Sequence, residues 1–264
     1  MFNKLTGLFD KMTFANEPLL DQPMGFNVWR APTDNDRKLK ADWYAAHYDH
    51  AATNAYHTEY TVTASGVTLH THVGIAAICV QKFLDLDVTW TVANNGSVDL
   101  ALHAQRNTVF PELPRFGLRL FLPQEMSQVN YYGMGPMECY RDKHHAASHS
   151  SYTATVWQLH EDYIRPQENG SHFDCDYVML AGDAVRLTAV GTQPFSFNAS
   201  HYTQEELTRK AHNYELEPCG STVLCLDYAQ NGIGSESCGP RLLEQYRLDD
   251  ATFNFGLRLF PEKK

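Results

Sequence analysis

Apolar and polar residues alternate one by one through much of the chain, the period-2 pattern of strands that bury one face and wet the other. Leu84, Leu86, Val88, Trp90 and Val92 fall on one face, with Asp85, Asp87, Thr89 and Thr91 opposite. The run stops at Asn94-Asn95-Gly96, residues that tolerate the positive φ of a tight turn. Phe116, Leu118, Leu120 and Leu122 repeat the pattern around Arg119, and Pro123 ends it. Val67, Leu69, Thr71 and Val73 alternate with Thr68, His70 and His72 after a Ser65-Gly66 turn. Val185, Leu187 and Ala189 follow Gly182-Asp183, and Phe253, Phe255, Leu257 and Leu259 lead up to Pro261. The repetition predicts antiparallel sheet throughout.

Helix signals are few. Thr203-Gln204-Glu205-Glu206 has the form of a capping box and predicts a short helix running towards His212. Residues 37 to 50 are a second candidate, with Leu39, Trp43 and Ala46 near one face and His50 at its edge. No long β-α alternation, internal repeat or low-complexity linker interrupts the 264 residues. The expectation is one all-β domain over 1–264, a large antiparallel sandwich with one or two short helices.

Composition narrows the classes of function. Hydrophobic residues make up 43% of the chain, with 14 Tyr and 14 Phe, enough for a sizeable core rather than disorder. Against 21 Lys and Arg stand 31 Asp and Glu, and a formal charge of −10 disfavours nucleic acid as a partner. No apolar run approaches the roughly 20 residues that span a bilayer, so no membrane partner is expected. The start, Met1-Phe2-Asn3-Lys4-Leu5-Thr6-Gly7, has no signal-peptide core. Six scattered cysteines, without CxxC or zinc-type pairing, read as mostly buried free thiols in a reducing, cytoplasmic setting.

Four polar segments could carry chemistry. Trp29-Arg30-Ala31-Pro32-Thr33-Asp34-Asn35-Asp36-Arg37 could be a loop whose Arg and carboxylates lock a site wall through charge-assisted hydrogen bonds, or an Asx-type turn capping a helix. Gly133-Met134-Gly135-Pro136-Met137-Glu138-Cys139-Tyr140-Arg141-Asp142-Lys143 predicts an irregular backbone. Glu138 and Asp142 there have the residue types of a glycosidase pair, although solvated charges look the same in sequence. Pro166-Gln167-Glu168-Asn169-Gly170 ends in turn chemistry. Gly232-Ile233-Gly234-Ser235-Glu236-Ser237-Cys238-Gly239-Pro240 lacks the Lys-Ser/Thr of a phosphate loop, and its thiol reads as a loop cysteine rather than a nucleophile. His144, His145 and His149 form the densest histidine group, without a zinc motif and in a stretch that reads as solvated; no metal is expected on this chain. Tyr131, Tyr132, Trp157 and Tyr163 could stack on sugar faces, with core packing as the commoner use.

Taken in order, the four segments resemble the C-terminal domain of the large bacterial β-galactosidases of glycoside hydrolase family 2, which in some organisms is a separate small subunit. The string from Trp29 to Asp36 is similar to that family's most recognisable motif. Gly135-Pro136 with Glu138, Tyr140 and Asp142 is similar to its Gly-Pro-x-Glu-x-Tyr-x-Asp-Arg loop, Pro166 to Gly170 to its Pro-Gln-Glu-Asn-Gly turn, and 232–240 to its last glycine-rich loop. The resemblance implies a galactose mutarotase-like supersandwich and a share in hydrolysing terminal β-D-galactosides such as lactose, with retention. It implies that both catalytic Glu residues, and the magnesium or sodium of a full enzyme, belong to a separate (β/α)-barrel portion or large subunit, so that no catalytic residue is expected here. It also implies a place in a larger oligomer, with Glu236, Ser237 and Cys238 at the galactoside and Arg30, Asp34, Asn35, Asp36, Glu138, Tyr140, Asp142, Glu168 and Asn169 in supporting loops. Cys238 stands where well-known members carry a sugar-stacking Trp, in a loop one residue shorter, and Lys143 where Arg is usual. The first residues look like the inside of the family's first hairpin, so truncation at an N-terminal strand is expected. A stand-alone carbohydrate-binding or aldose epimerase-like module is the alternative on the same fold.

Overall fold

In the computed structural model, residues 1–234 and 237–264 are described. Two short hairpins come first, β1 (Phe2–Asn3) with β2 (Leu8–Phe9) and β3 (Thr13–Phe14) with β4 (Glu17–Pro18). The main strands are β5 (Gln22–Asn27), β6 (Ala52–Thr63), β7 (Gly66–Ala76), β8 (Leu84–Ala93), β9 (Val98–Arg106), β10 (Arg115–Pro123), β11 (Gln128–Gly135) and β12 (Ser148–Thr155). They continue with β13 (His172–Ala181), β14 (Val185–Ser200), β15 (Ser221–Gln230) and β16 (Thr252–Lys263). Every pairing among them is antiparallel.

One ladder runs β12-β11-β13-β14-β16-β9-β8-β7-β6, and a branch β15-β10-β5 leaves it at β14. The branch is possible because β14 is 16 residues long and serves two neighbours in turn. Val185–Gly191 pairs with Lys263–Leu257 of β16, whereas Ser196–Ser200 pairs with Asp227–Val223 of β15. The branch then folds over the ladder. Phe116 of β10 meets Phe253 of β16 edge-on at 5.0 Å between centroids, and Tyr228 of β15 stacks on Phe253 at 4.4 Å. Phe116, Leu118, Leu120 and Leu122 are completely buried between the layers.

The predicted strands lie where alternation put them. Leu84, Leu86, Val88 and Trp90 are buried in β8, and Gly96 (φ 89) makes the turn that follows. Three local expectations change. β16 does not stop at Pro261 but runs to Lys263, because β9 pairs only as far as Leu259 and Pro261 lies past that contact, where a missing amide hydrogen is tolerated. Helix α1 covers only Leu39–Ala45, since His47 adopts a left-handed φ of 56, and His50 is exposed. Helix α2 covers Gln204–Arg209 and stops short of His212. Thr203 Oγ1 accepts from the Glu206 amide (3.1 Å), but Glu206 turns instead to the Glu217 amide and to Arg209 and Lys210. Of the six thiols, Cys139, Cys175 and Cys225 are buried, Cys219 is half-buried, and Cys79 and Cys238 are exposed; all are free. The burial expected of most of them holds for half.

His172, at the start of β13, is wedged between Tyr131 (4.6 Å) and Phe197 (5.1 Å). Its Nδ1 lies 3.0 Å from the Tyr131 hydroxyl and 3.2 Å from the Met134 carbonyl, while Nε2 is buried without a partner among the described residues. Burial pulls this imidazole down to about 4 from its ordinary 6.5. The unfolded chain therefore binds more protons than the folded one between those values. The contribution is complete above pH 6.5 and is lost as pH falls towards 4, on the order of 3 kcal/mol at about 1.4 kcal/mol per unit. Urea unfolding at pH 7 and pH 4.5 should show a drop in stability that His172→Gln reduces; an identical drop in the variant rejects this assignment.

Candidate functional site

Arg30 is wholly buried, and each of its nitrogens is engaged. Pro32 keeps the preceding backbone extended, and the chain then turns through a 3-10 segment at Asp34–Arg37. The turn brings Asp36 back onto Arg30, with Nη2 to Oδ1 at 2.7 Å and Nε to Oδ2 at 3.3 Å. Asp36 Oδ2 also accepts from the Thr33 amide at 2.8 Å. Turn capping and charge locking, two separate readings in sequence, are thus carried out by one carboxylate. The other edge of the guanidinium donates to the carbonyls of Asn231 and Gly232 (3.1 Å for the latter), and its face lies over the Trp43 ring. An arginine near the start of the chain thereby holds the base of the last glycine-rich loop.

Asp142 holds the same loop from the other side. Its carboxylate accepts the amides of Ile233 at 3.0 Å and Gly234 at 2.7 Å. Asn35 adds a bond from Nδ2 to the Gly234 carbonyl, and Arg37 donates to the carbonyl of Ser237. Asp142 lies so close to Gly232 that a Cβ there would meet its Cγ at 2.8 Å, which explains glycine at this point.

Glu138 is surrounded by donors. Tyr163 and Lys143 (2.9 Å) reach Oε1, and Tyr140 (3.2 Å) and the Gly170 amide (3.0 Å) reach Oε2. Burial alone would raise this carboxyl, but the bonds from Tyr163, Lys143 and Gly170 outweigh it and hold Glu138 below the usual glutamate value. Glu138 is therefore ionised at neutral pH and has no proton to give. Gly170 adopts φ 67, and a Cβ there would strike the Leu159 carbonyl at 2.4 Å. Only the glycine of this turn can bring its amide to Glu138. The irregular backbone expected from Gly133 onward begins later, because Gly133 and Gly135 belong to β11, and the turn starts at the cis Gly135-Pro136 bond.

Behind the cleft lies a charge cluster that sequence reasoning missed. Arg115 of β10 donates to Glu168 (2.7 Å), to Asn198 (2.6 Å) and, through two nitrogens, to Asp227. Arg115 and Asp227 are fully buried and Glu168 almost so. Burial pushes Asp227 up to about 6, Arg115 opposes the rise, and Glu168 adds to it, since two carboxylates share one guanidinium. The other oxygen of Glu168 accepts the Ala31 amide at 3.2 Å, which ties the cluster to the cleft wall. The available signal was a charge inside an apolar strand, as in Val223-Leu224-Cys225-Leu226-Asp227.

These segments enclose a cleft of about 440 Å³. Asp34, Asn35, Glu138, Tyr140, Asp142 and Glu168 line it, joined by Lys143, Tyr163 and Gln167, while Arg30 and Asp36 brace it from behind. Asn169 turns away from the cleft, accepting from the Glu161 amide and donating to the Gln167 carbonyl. Ser237, whose carbonyl accepts from Arg37, and the exposed Cys238 do not line the cleft, and Glu236 lies outside the described residues. Of the candidate stacking aromatics, Tyr131 is core, Tyr132 and Trp157 are exposed, and Tyr163 faces the cleft. His145 and His149 are exposed and His144 is half-buried.

Comparison with known proteins extends over the same chain. The family described as beta galactosidase small chain matches residues 1–259. A beta-galactosidase of Actinobacillus pleuropneumoniae is 43% identical over 99% of this chain, and one of Staphylococcus xylosus is 37% identical over 98%. The chain spans 26% of the length of each of these relatives. Among solved structures, a galactose 1-epimerase from Lactobacillus acidophilus superposes with TM-score 0.42 at 10% identity, over 78% of this chain and 66% of that one, a likeness too distant to carry an argument. No helix among the described residues is long and apolar enough to cross a membrane. On the full-length family match and the identity to its relatives, the chain belongs to the beta galactosidase small chain family.

Proposed function

We propose that this chain is the non-catalytic part of a β-galactosidase that hydrolyses terminal β-D-galactosides with retention. Its partner is the catalytic portion or large subunit, within a larger oligomer in a reducing cytoplasm. One observation carries the non-catalytic role: Glu138 and Asp142, the candidate glycosidase pair among the cleft carboxylates, are both committed elsewhere. A retaining enzyme needs an acid that keeps its proton near neutral pH and a free nucleophile about 5 Å away. Glu138 is held ionised by four donors, and both oxygens of Asp142 accept loop amides. Such a cleft fixes the position of a loop, and the catalytic acid and nucleophile come from the partner.

The glycine-rich loop is the piece that is positioned. Arg30, Asn35, Arg37 and Asp142 grip it from two sides, and the residues that meet the galactoside in this reading are Ser237 and Cys238, beyond that grip. Any magnesium or sodium of the assembled enzyme belongs to the partner. The test is hydrolysis of a chromogenic β-galactoside by this chain alone and mixed with its catalytic portion. No hydrolysis alone and hydrolysis on mixing is the expected pair of results. Hydrolysis by the chain alone that is lost in Glu138→Gln overturns the reading.

A further inference from the structure

A second concavity, of about 230 Å³, lies beside the cleft and shares Tyr140 with it as a wall. Phe173, Phe195 and Tyr228 give it apolar faces, and Arg141, Asp174 and Gln230 give it polar ones. Gln230, at the end of β15, is 5% exposed. Its Nε2 donates to Asp227 Oδ2 at 3.3 Å and to Ser171 Oγ at 3.2 Å. An ionised carboxylate only accepts, so the amide nitrogen must be the atom facing Asp227 and the oxygen must face away. That oxygen, Oε1, is buried and accepts no hydrogen bond. Buried carbonyl oxygens are rarely left unmet, and this one is on a side chain that lines a cavity.

The neighbouring strand departs from regular geometry at the same place. β13 slips its register against β14 on both sides of Cys175, and Asp174 adopts a left-handed φ of 53. Consecutive residues of a regular strand point to opposite faces, yet Phe173 and Asp174 both line this cavity. The irregularity turns them to the same side, and non-glycine residues hold such a φ at a cost that surrounding structure must offset.

We infer that this concavity binds one neutral pyranose ring, as a free sugar or as the end of a saccharide. The C–H face of the ring packs on Tyr228 and Phe173. One ring hydroxyl donates to Gln230 Oε1, and adjacent hydroxyls reach the Asp174 carboxylate and the Arg141 guanidinium. One cation and one anion among the lining groups match an uncharged ligand better than a charged one. An apolar ligand would leave Gln230 Oε1 unmet, and a protein segment would exceed the volume. The inference concerns a pocket within this chain and does not rest on the galactosidase reading.

The test is titration of this chain with methyl β-D-galactopyranoside, with D-glucose and, as an acyclic control, with glycerol. Calorimetry gives the affinity, and the side-chain amide resonance of Gln230 reports the location. At least one pyranose should bind saturably, with a dissociation constant on the order of 1 mM for so few atoms. It should shift the Gln230 amide, and glycerol should do neither. Gln230→Met and Tyr228→Ala should each weaken binding about tenfold or more, and Tyr228→Phe, which keeps the ring, should retain it. If Gln230→Met fails to fold, the pair at Tyr228 decides. Water alone fills the pocket if no sugar gives a saturable response. That outcome overturns the inference, as does saturable binding that both Tyr228 variants leave unchanged.

Discussion

Arg115→Met should destabilise the fold by about 3–5 kcal/mol, read as a fall in the urea midpoint at pH 7 with unchanged slope. The lost packing is small, because methionine fills much of the same space. What the substitution leaves behind is costly: Asp227 and Glu168, both buried, lose the cation they share. Asn198 and Gln230 remain as neutral neighbours and cannot balance two negative charges. Adding Asp227→Asn and Glu168→Gln to Arg115→Met should therefore recover most of the loss, since a buried ion cluster contributes little beyond its neutral counterpart once no charge is stranded. A single variant within about 1 kcal/mol of wild type would mean that the cluster is not charged or not dry.

Asp142→Ala should separate folding from function. The carboxylate is half-exposed and binds two loop amides, so its loss should cost the fold about 1 kcal/mol. The loop it holds then keeps its anchors at Arg30, Asn35 and Arg37 and the bond from the Gly232 amide to the Tyr246 carbonyl. In the assembled enzyme kcat/KM for a galactoside should fall about 10- to 100-fold, equivalent to roughly 1.4–2.7 kcal/mol of transition-state stabilisation. In the isolated chain, limited proteolysis should begin within 232–240 sooner than in wild type. Asp142→Asn, which keeps one acceptor, should fall between the two. Full activity in Asp142→Ala would remove this loop from the galactoside site.

The strands were legible because burial on one face leaves a period-2 record, as in Leu84 to Val92 of β8 and Phe116 to Leu122 of β10. The branch was not. Nothing local in Gln193-Pro194-Phe195 states that β14 exchanges β16 for β15 there, since that choice depends on residues more than 20 positions away. The four site segments were legible as strings, and the structure brings Arg30, Glu138 and Asp142 to one cleft. Their partners were not legible, because Arg30 binds backbone carbonyls 201 and 202 residues distant, and carbonyls have no sequence signature. Tyr163 and Gly170 entered the site through Glu138, and Arg115 and Asp227 through Glu168, pairings that no local string states. The reciprocal half of the capping box at Thr203 failed for a similar reason: Glu206 had a better set of partners in the Glu217 amide, Arg209 and Lys210 than its own cap.

The position of β16 has a consequence during synthesis. It lies between β14 and β9, joining the block β11 to β14 to the block β6 to β9. A ribosome reads out both blocks before it reaches Thr252, and until β16 follows, the edges of β14 and β9 lack the strand that joins them. Each edge suits the other nascent copies on the same message as well as it suits β16, and pairing between them would compete with completion. Interruption of translation a dozen codons before Lys264 would leave that competition without its native winner.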